Sequence, residues 1–536
     1  VSYAELTKGQ KIVKSLEQKP EIKKAKDFKI VGKPLLKLDA ESKVTGKAKY
    51  TGDMKLPGMV YASVVRPEAL GSKKLEVDAT KLKNYAGAEM IEHEDLVAVI
   101  HADPEISKKA ADSIVVKWKE PEAKADQESI FKYLEENIKQ NKVFEEAGNL
   151  QLGREQSEKI AEATYQDGYK AHAAMETHAA TCFFEGDKLT MWASTQSPFG
   201  TRKQVAEALG MTEDQVHIKQ IFLGGGFGGK SFNSQAIEAA IIAKKCRKPV
   251  QLVFSRKEEF LYDRFRTAAL VKTVAGVTKG KLNYWEFDIY SAGTRGTDNF
   301  YNIPHFRTRN FNQDGIHQLG TGAWRAPGNN TTTFARESHI DVIAHAAGID
   351  PMTFRLNNIK SADMIATLNL AAKTFGWGKT KKPNHGYGIA LGQDAGTLVA
   401  MIAEVRVDKS TGVVQPIRIV CAQDMGQVVN PQGAILQTEG GITMGLGYAL
   451  TEEVEFKGAD VKTSNFNNYE ITRFSKTPPI ECVFIDKMDA KPQGGGEPAI
   501  ICVGGAIANA VFDACGARVN RMPITPERVL EAMKPV

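Results

Sequence analysis

The 536 residues predict an α/β (α+β) chain, and three observations carry that reading. Short alternating strands bounded by turn signals occupy about residues 41–120. Strands then alternate with helix-length apolar patterns, and two long strands precede a glycine-rich helical run near the end.

In order along the chain, residues 1–40 read as an extended lead-in carrying ten lysines. Residues 41–148 follow as one unit with its linker. From "KVTGKAKYTGDMKLPGMVYASVVRP" to "ADSIVVKWKE", strands and turns surround the helix-like "PEISKKAADSI", a small α+β domain over about 41–120, and a charged, helix-prone segment over about 125–148 leads out of it. In 149–380, "TRKQVAEALG" reads as a helix stopped by Gly210, "QVHIKQIFL" as a strand, and "SQAIEAAIIAKKC" and "TFARESHIDVIAHAAG" as helices, the second ending at Gly348 before Pro351. The last region, 381–536, opens with the strands "AMIAEVRVD" and "VVQPIRIVCAQD" and continues into "PQGAILQTEGGITMGLGYALTEE". Each glycine inside a helix costs about 1 kcal/mol relative to alanine. A run of them therefore marks close approach of another backbone or of a ligand.

Composition narrows the function classes. Apolar residues make up 42% and charged residues 25%, the balance of a folded globular chain. The net charge of +6 is mild, and the Lys-rich lead-in holds few aromatics, so it reads as a solvated arm lying across another subunit and not as a nucleic-acid surface. No run approaches the roughly 18 consecutive apolar residues of a spanning helix, no secretory leader opens the chain, and the first residue is Val1. An integral membrane protein is therefore not expected. The six cysteines lack C-x-x-C spacing and read as buried free thiols, with neither an iron–sulfur cluster nor a zinc ribbon on this chain.

"FLGGGFGGKS" (222–231) fits the phosphate-loop pattern G-x-x-x-x-G-K-[ST]. Against a nucleotide triphosphatase, the best Mg-holding candidate at the end of a later apolar strand, Asp424, lies far downstream. Read together, the clusters "GGGFGG" (224–229), "GAWRAPG" (322–328), "QTEGGITMGLG" (437–447) and "QGGGEPAI" (493–500) suit a large, flat, phosphate-bearing cofactor gripped by backbone N–H groups.

These clusters, in this order, resemble those of the large molybdopterin-binding subunit of the xanthine oxidase and aldehyde oxidase family of molybdenum hydroxylases. The resemblance runs from about residue 28 to the end and includes "VTGKAKYTGD" and "LPGMVYASVVRP", which look like the family's hammerhead-like small domain. The isoquinoline 1-oxidoreductase beta-subunit type is the most similar branch, through "VSYAEL", "FKIVGKPLLKLD", "DMGQVVNPQGAILQTEGGI" and "SNFNNYEITR". It implies a hammerhead-like domain followed by molybdopterin-binding domains of mixed sheets and helices, with the first part in 149–380 and the second, bearing the catalytic glutamate, in 381–536.

The same resemblance implies residue roles. Glu497 matches the catalytic base, which takes a proton from a metal-bound hydroxyl; its bland reading is a helix-terminal Glu before Pro498. Gln196 falls where the family places a glutamine that hydrogen-bonds a metal ligand. Gly225, Gly226, Phe227 and Gly228 would offer backbone donors, Arg325 would sit beside the metal, and Gln437, Glu439 and Gly440, with Gly495 and Gly496, would face the pterin. No side chain of this chain would ligate the metal directly. His172, Met175 and Glu176 also match, as residues that shape the fold, and His339 and His345 are spaced wrongly for a metal pair on one helix face.

Two departures matter. Purine-oxidising members carry Glu where this chain has Ser231 and an aromatic where it has Pro327, so the resemblance implies an aldehyde or another N-heteroaromatic as the small-molecule substrate. A pterin loop expected between Gly328 and Ala403 is absent, which implies that another polypeptide, or a cleaved N-terminal part, supplies it. The implied partners are a subunit with two [2Fe–2S] clusters and a cytochrome c. The implied cofactor is molybdopterin, in its cytosine dinucleotide form, and the implied compartment is the periplasm, with the cytoplasm as the alternative. A phosphate-loop ATPase and a non-catalytic assembly subunit remain the alternatives.

Overall fold

The alternating stretches "MVYASVV" and "LVAVIH" become the antiparallel strands Val60–Val64 and Leu96–His101 in the computed structural model, which describes residues 2–534 apart from 12, 16, 19, 20, 298 and 299. Val60–Val64 also runs parallel to Val250–Val253, with Val60 opposite Val250. A seven-stranded sheet thereby joins residues 60–101 to residues 179–253. The helices Pro198–Leu209 and Ser234–Cys246 supply its core through Val205, Ala206, Ala236, Ala239 and Ala240, and small side chains let a helix lie close to a sheet.

A six-stranded sheet follows in the order Arg521–Met522, Lys159–Asp167, Ala269–Thr278, Lys281–Tyr290, His305–Phe311, Asn141–Ala147. The helix Asn329–Ala346 crosses it, buried over nearly its whole length, and its internal charge is answered: Glu337 accepts from Arg355 Nε at 3.1 Å and Arg336 Nε at 3.1 Å. A four-stranded sheet (His385–Asp394, Thr397–Val407, Val414–Asp424, Ile480–Phe484) carries the helix Val503–Cys515 on its face. Gly388 makes that packing possible, because a Cβ there would stand 2.1 Å from the carbonyl oxygen of Ala506.

Two expectations of local structure are corrected, and the sheets run across the expected boundaries at 148 and 380. The partition at 148 and 380 does not coincide with separately closed sheets, since strand Asn141–Ala147 and strand Arg521–Met522 are the two edges of one sheet built mostly from 159–311. The helix-prone segment 125–148 yields helix Ile130–Asn137 and then a strand, because backbone pairing with His305–Phe311 overrides local propensity. The lead-in contains short helical turns at Tyr3–Thr7 and Ala25–Asp27, and part of it docks on its own chain: Gly32 N donates to Val429 O at 2.8 Å and Asn430 Nδ2 to Leu35 O at 2.9 Å. One helical stretch, 498–515, is long and apolar enough to span a bilayer by composition, and 83% of it is buried inside the fold as a core element.

Candidate active site

The four glycine clusters, spread between positions 224 and 500 of the sequence, meet at one loop. The backbone N–H of Arg325 donates to Phe227 O at 2.9 Å, tying the second cluster to the first. The guanidinium of Arg325 donates through Nε to Gly496 O at 3.0 Å and through Nη2 to both the backbone oxygen and Oε1 of Gln437 at 3.0 Å, tying in the fourth and the third. Burial weakens the hold of this guanidinium on its proton, and the nearby Glu497 carboxylate opposes that.

Beside this hub, Glu497 is fixed at both oxygens. Oε1 accepts the N–H of Ala326 at 3.1 Å, and Oε2 accepts Nη2 of Arg295 at 2.5 Å. Arg295 is itself anchored by a fork to Asp394, at 2.8 and 2.7 Å, and Asn329 Nδ2 donates to the same carboxylate at 2.8 Å. Burial would lower the affinity of Arg295 for its proton, but the two carboxylates raise it above the ordinary value. Glu497 is about two-fifths exposed, so one end of a fixed carboxylate remains reachable.

Gln196 follows strand Lys188–Ala193, and its Oε1 accepts Gly228 N at 3.0 Å, with its own N–H bound to Lys230 O at 2.8 Å. Among the described residues the N–H groups of Gly225, Gly226 and Phe227 have no partner, which leaves consecutive donors beside Gln196. The loop's shape requires glycine at 228, where φ is +119° and a Cβ would meet Ala323 O at 1.8 Å. Phe227 itself holds φ +53°, a costly conformation for an aromatic residue, and this strain is carried where the clusters join.

Two buried imidazoles brace the loops from behind. Both ring nitrogens of His172 face acceptors, Asp263 Oδ2 at 2.8 Å and Ala323 O at 2.7 Å, and both of His178 face acceptors, the Glu259 carboxylate at 3.0 Å and Phe232 O at 3.1 Å. Only an imidazolium donates twice. Burial disfavours that charge, but the carboxylate partners prevail and both histidines are held above their ordinary pKa. Glu176 clamps the ends of the first cluster, accepting Gly224 N at 2.8 Å and Lys230 Nζ at 2.6 Å. Lys230 is therefore buried and paired, and helix Ser234–Cys246 begins only after a further turn, Gly229–Ser231. Neither feature suits a phosphate loop, whose lysine must reach a nucleotide.

The structure thus gathers Phe227, Gly228, Gln196, Arg325, Gln437, Gly496 and Glu497. Gly440 and Gly496 have open space where a Cβ would project, and Gly495 has only Met425 near. Glu439 is not brought to the cluster: it sits two positions past Gln437 on helix Pro431–Leu450, toward Cys482, whose thiol is pushed up to about 12 by burial and by that glutamate. Met175 is exposed, and His339 is buried against Tyr165 and Ala161, its pKa lowered to about 4 by burial. The six cysteines are free, and among the described residues no group of His, Cys, Asp and Glu could hold a metal. Sequence reasoning missed Arg295 and Asp394, because a T-R-G tripeptide and a strand-end Asp carry no local signal of joining residues 99 and 202 positions apart.

Two family models of molybdopterin cofactor-binding domains match, over residues 134–359 and 331–478. One chain of the nicotinate dehydrogenase of Pseudomonas putida is 25% identical over 99% of this chain and 49% of its own length, so the protein described here spans about half of that relative. The beta chain of isoquinoline 1-oxidoreductase of Brevundimonas diminuta is 26% identical over 94% of this chain and 69% of its own. The solved structure of quinoline 2-oxidoreductase from Pseudomonas putida 86 superimposes with a TM-score of 0.83 at 16% identity, covering 94% of this chain and 98% of that one, and so shares its fold. With the matched domains covering all four glycine clusters except the last, and that one joined to them through Arg325, the chain belongs to the molybdenum hydroxylase family as a large, molybdopterin-binding subunit.

Proposed function

We propose that this chain is the catalytic subunit of a hydroxylase that oxidises an aldehyde or N-heteroaromatic carbon with oxygen derived from water. The observation that carries it is the placement of Glu497, a partly exposed carboxylate fixed by Ala326 N–H and Arg295 at the junction of the glycine clusters.

The residues present fit a molybdopterin. Unpartnered N–H donors at Gly225, Gly226 and Phe227 suit its anionic and acceptor groups, and the open faces of Gly440 and Gly496 leave room for a flat ring to approach the backbone. When bound, the group supplies a redox-active metal that takes two electrons from the substrate carbon. In this reading Gln196 and the 225–228 loop hold the cofactor, Arg325 locks the loops around it, and Glu497 accepts the proton released as oxygen is transferred. Arg295 keeps that carboxylate pointed.

The same reading assigns the cytosine dinucleotide form of the cofactor, electron transfer to a separate [2Fe–2S] subunit and onward to a cytochrome c, a periplasmic setting, and a further polypeptide segment that completes the pterin grip. The test is Glu497→Gln in the co-expressed complex. Molybdenum content should stay at the parent level while kcat falls by at least about 100-fold, the scale of losing a general base. A variant that turns over normally would remove the assignment.

A further inference from the structure

We infer that the substrate carries a carboxylate, and that Arg264 recognises it. This rests on the hydroxylase reading above.

A cleft of about 710 Å³ abuts the loop that holds Arg325, touching Ala323, Pro327 and Gly328. A second, of about 700 Å³, lies beside Phe232 and Asn233, and the two share Arg264, Gln318 and Gly320. Arg264 thus stands at their junction. Its guanidinium lies over the Phe232 ring at 4.4 Å, and it forms no ion pair or side-chain hydrogen bond among the described residues. Gly320 and Gly322 keep the loop clear of it, since a Cβ at either would stand within 3.0 Å of its side-chain carbons.

A second observation points the same way. Arg266, which lines the larger cleft and is 2% exposed, has Nε and Nη1 with no hydrogen-bond partner, although Nη2 is bound to Asp167 at 2.6 Å. On the other side, Asn233, 3% exposed, lines the smaller cleft with Nδ2 likewise unpartnered. Buried donors without acceptors cost about 1–3 kcal/mol each, so a ligand bearing acceptors is favoured there. The carboxylates lining the clefts do not answer them: Asp263 is bound to His172, Glu207 lies 3.9 Å from Lys203, and Asp314 is exposed.

The unfilled groups on residues that line the two clefts are donors, and an acceptor-only group such as a carboxylate satisfies donors without adding a proton of its own. A planar guanidinium stacked on an aromatic face is preorganised for a bidentate carboxylate contact. Of the two sources of an anion, a cofactor phosphate is the less suited. Gln437, Gly440 and Gly496, assigned above to the cofactor, line neither cleft, whereas Ala323, Pro327 and Gly328 line the larger one on the loop whose Ala326 N–H binds Glu497, so the anion belongs to a molecule that reaches the site from the side of that loop.

The test uses the molybdenum-loaded complex with paired substrates, benzaldehyde against 4-carboxybenzaldehyde and quinoline against quinoline-4-carboxylate. The parent should favour the carboxylated member of each pair in kcat/KM. Arg264→Ala should lower that preference roughly 10- to 100-fold, the worth of a hydrogen bond to a charged group, and Arg264→Lys, which keeps the charge without the fork, should restore only part of it. On the unmutated enzyme, benzoate should compete with the carboxylated substrate and benzamide should not, a readout that needs no variant to fold. Equal use of both members, or failure of benzoate to compete, overturns the inference while leaving the hydroxylase reading intact. Loss of molybdenum from both Arg264 variants in step would assign the anion to the cofactor and overturn it too. Oxidation of neither pair would instead count against the hydroxylase reading itself.

Discussion

At the scale of single residues, the site depends on side chains that each satisfy more than one segment. Arg325 binds three of the clusters at once, through its own N–H and both ends of its guanidinium, a geometry available only to a planar five-donor group. Arg295 does the same for the Glu497 carboxylate, bridging buried Asp394 and partly exposed Glu497. Lysine in its place keeps the charge but not the fork, and one ammonium cannot hold both carboxylates in the same geometry. Arg295→Lys should therefore lower kcat by roughly tenfold or more, with KM and molybdenum content close to the parent. Unchanged kcat would mean that Glu497 needs no such anchor. Of these residues Arg325 and Glu497 were legible in the sequence through their clusters, whereas Arg295, Asp394 and Arg264 were not. Nothing local distinguishes a bridging arginine from a solvated one.

At the scale of elements, glycines serve two distinct purposes that sequence alone does not separate. Gly228 and Gly388 are glycine because protein backbone stands where a Cβ would be. Gly440, in the helix Pro431–Leu450, meets nothing, and so its missing side chain leaves space for something else. Gly440→Ala should consequently raise the thermal stability of the cofactor-free chain, by about 0.5–1 kcal/mol from helix propensity, while lowering molybdenum content per chain. Melting temperature and metal analysis on one preparation check both. A variant that is stabilised and loads fully would show that this helix face does not meet the cofactor. The phosphate-loop look-alike is an element-scale lesson of the same kind. Its string was matched, but Lys230 is spent on Glu176, and string matching does not reveal the partner.

At the scale of the whole molecule, a buried charged group stitches together the parts that carry the clusters. Arg266 binds Asp167 and lies against Trp324 and Tyr448, at 4.9 and 4.8 Å from their rings, while Tyr469 donates to Glu452 at 2.9 Å and Trp324 Nε1 donates to Ala171 O at 3.0 Å. Burial pushes the Glu452 carboxyl up to about 7, against the hydrogen bond from Tyr469 that lowers it. Its folded pKa exceeds the unfolded value, so the native state binds the extra proton. The stability this contributes is complete below about pH 4.5 and is lost as pH rises through about 7. Glu452→Gln should thus reduce the fall in melting temperature between pH 5 and pH 8 by roughly a few degrees. An identical fall in the variant would place the pH dependence elsewhere.

What the sequence determined by itself was local and ordered: the strand and helix periodicities, the glycine clusters in their sequence order, and the glutamate after the last of them. These are legible because backbone conformation and side-chain period are set by neighbours a few positions apart. Only the tertiary structure decided that residues 60–101 share a sheet with 179–253, that a helix-prone segment pairs as an edge strand, that Glu439 turns away from the cluster, and that Arg295 reaches Glu497. Each of those depends on which distant backbone offers the free hydrogen bonds or which buried charge needs an answer, and such complementarity exists only once the chain has closed on itself.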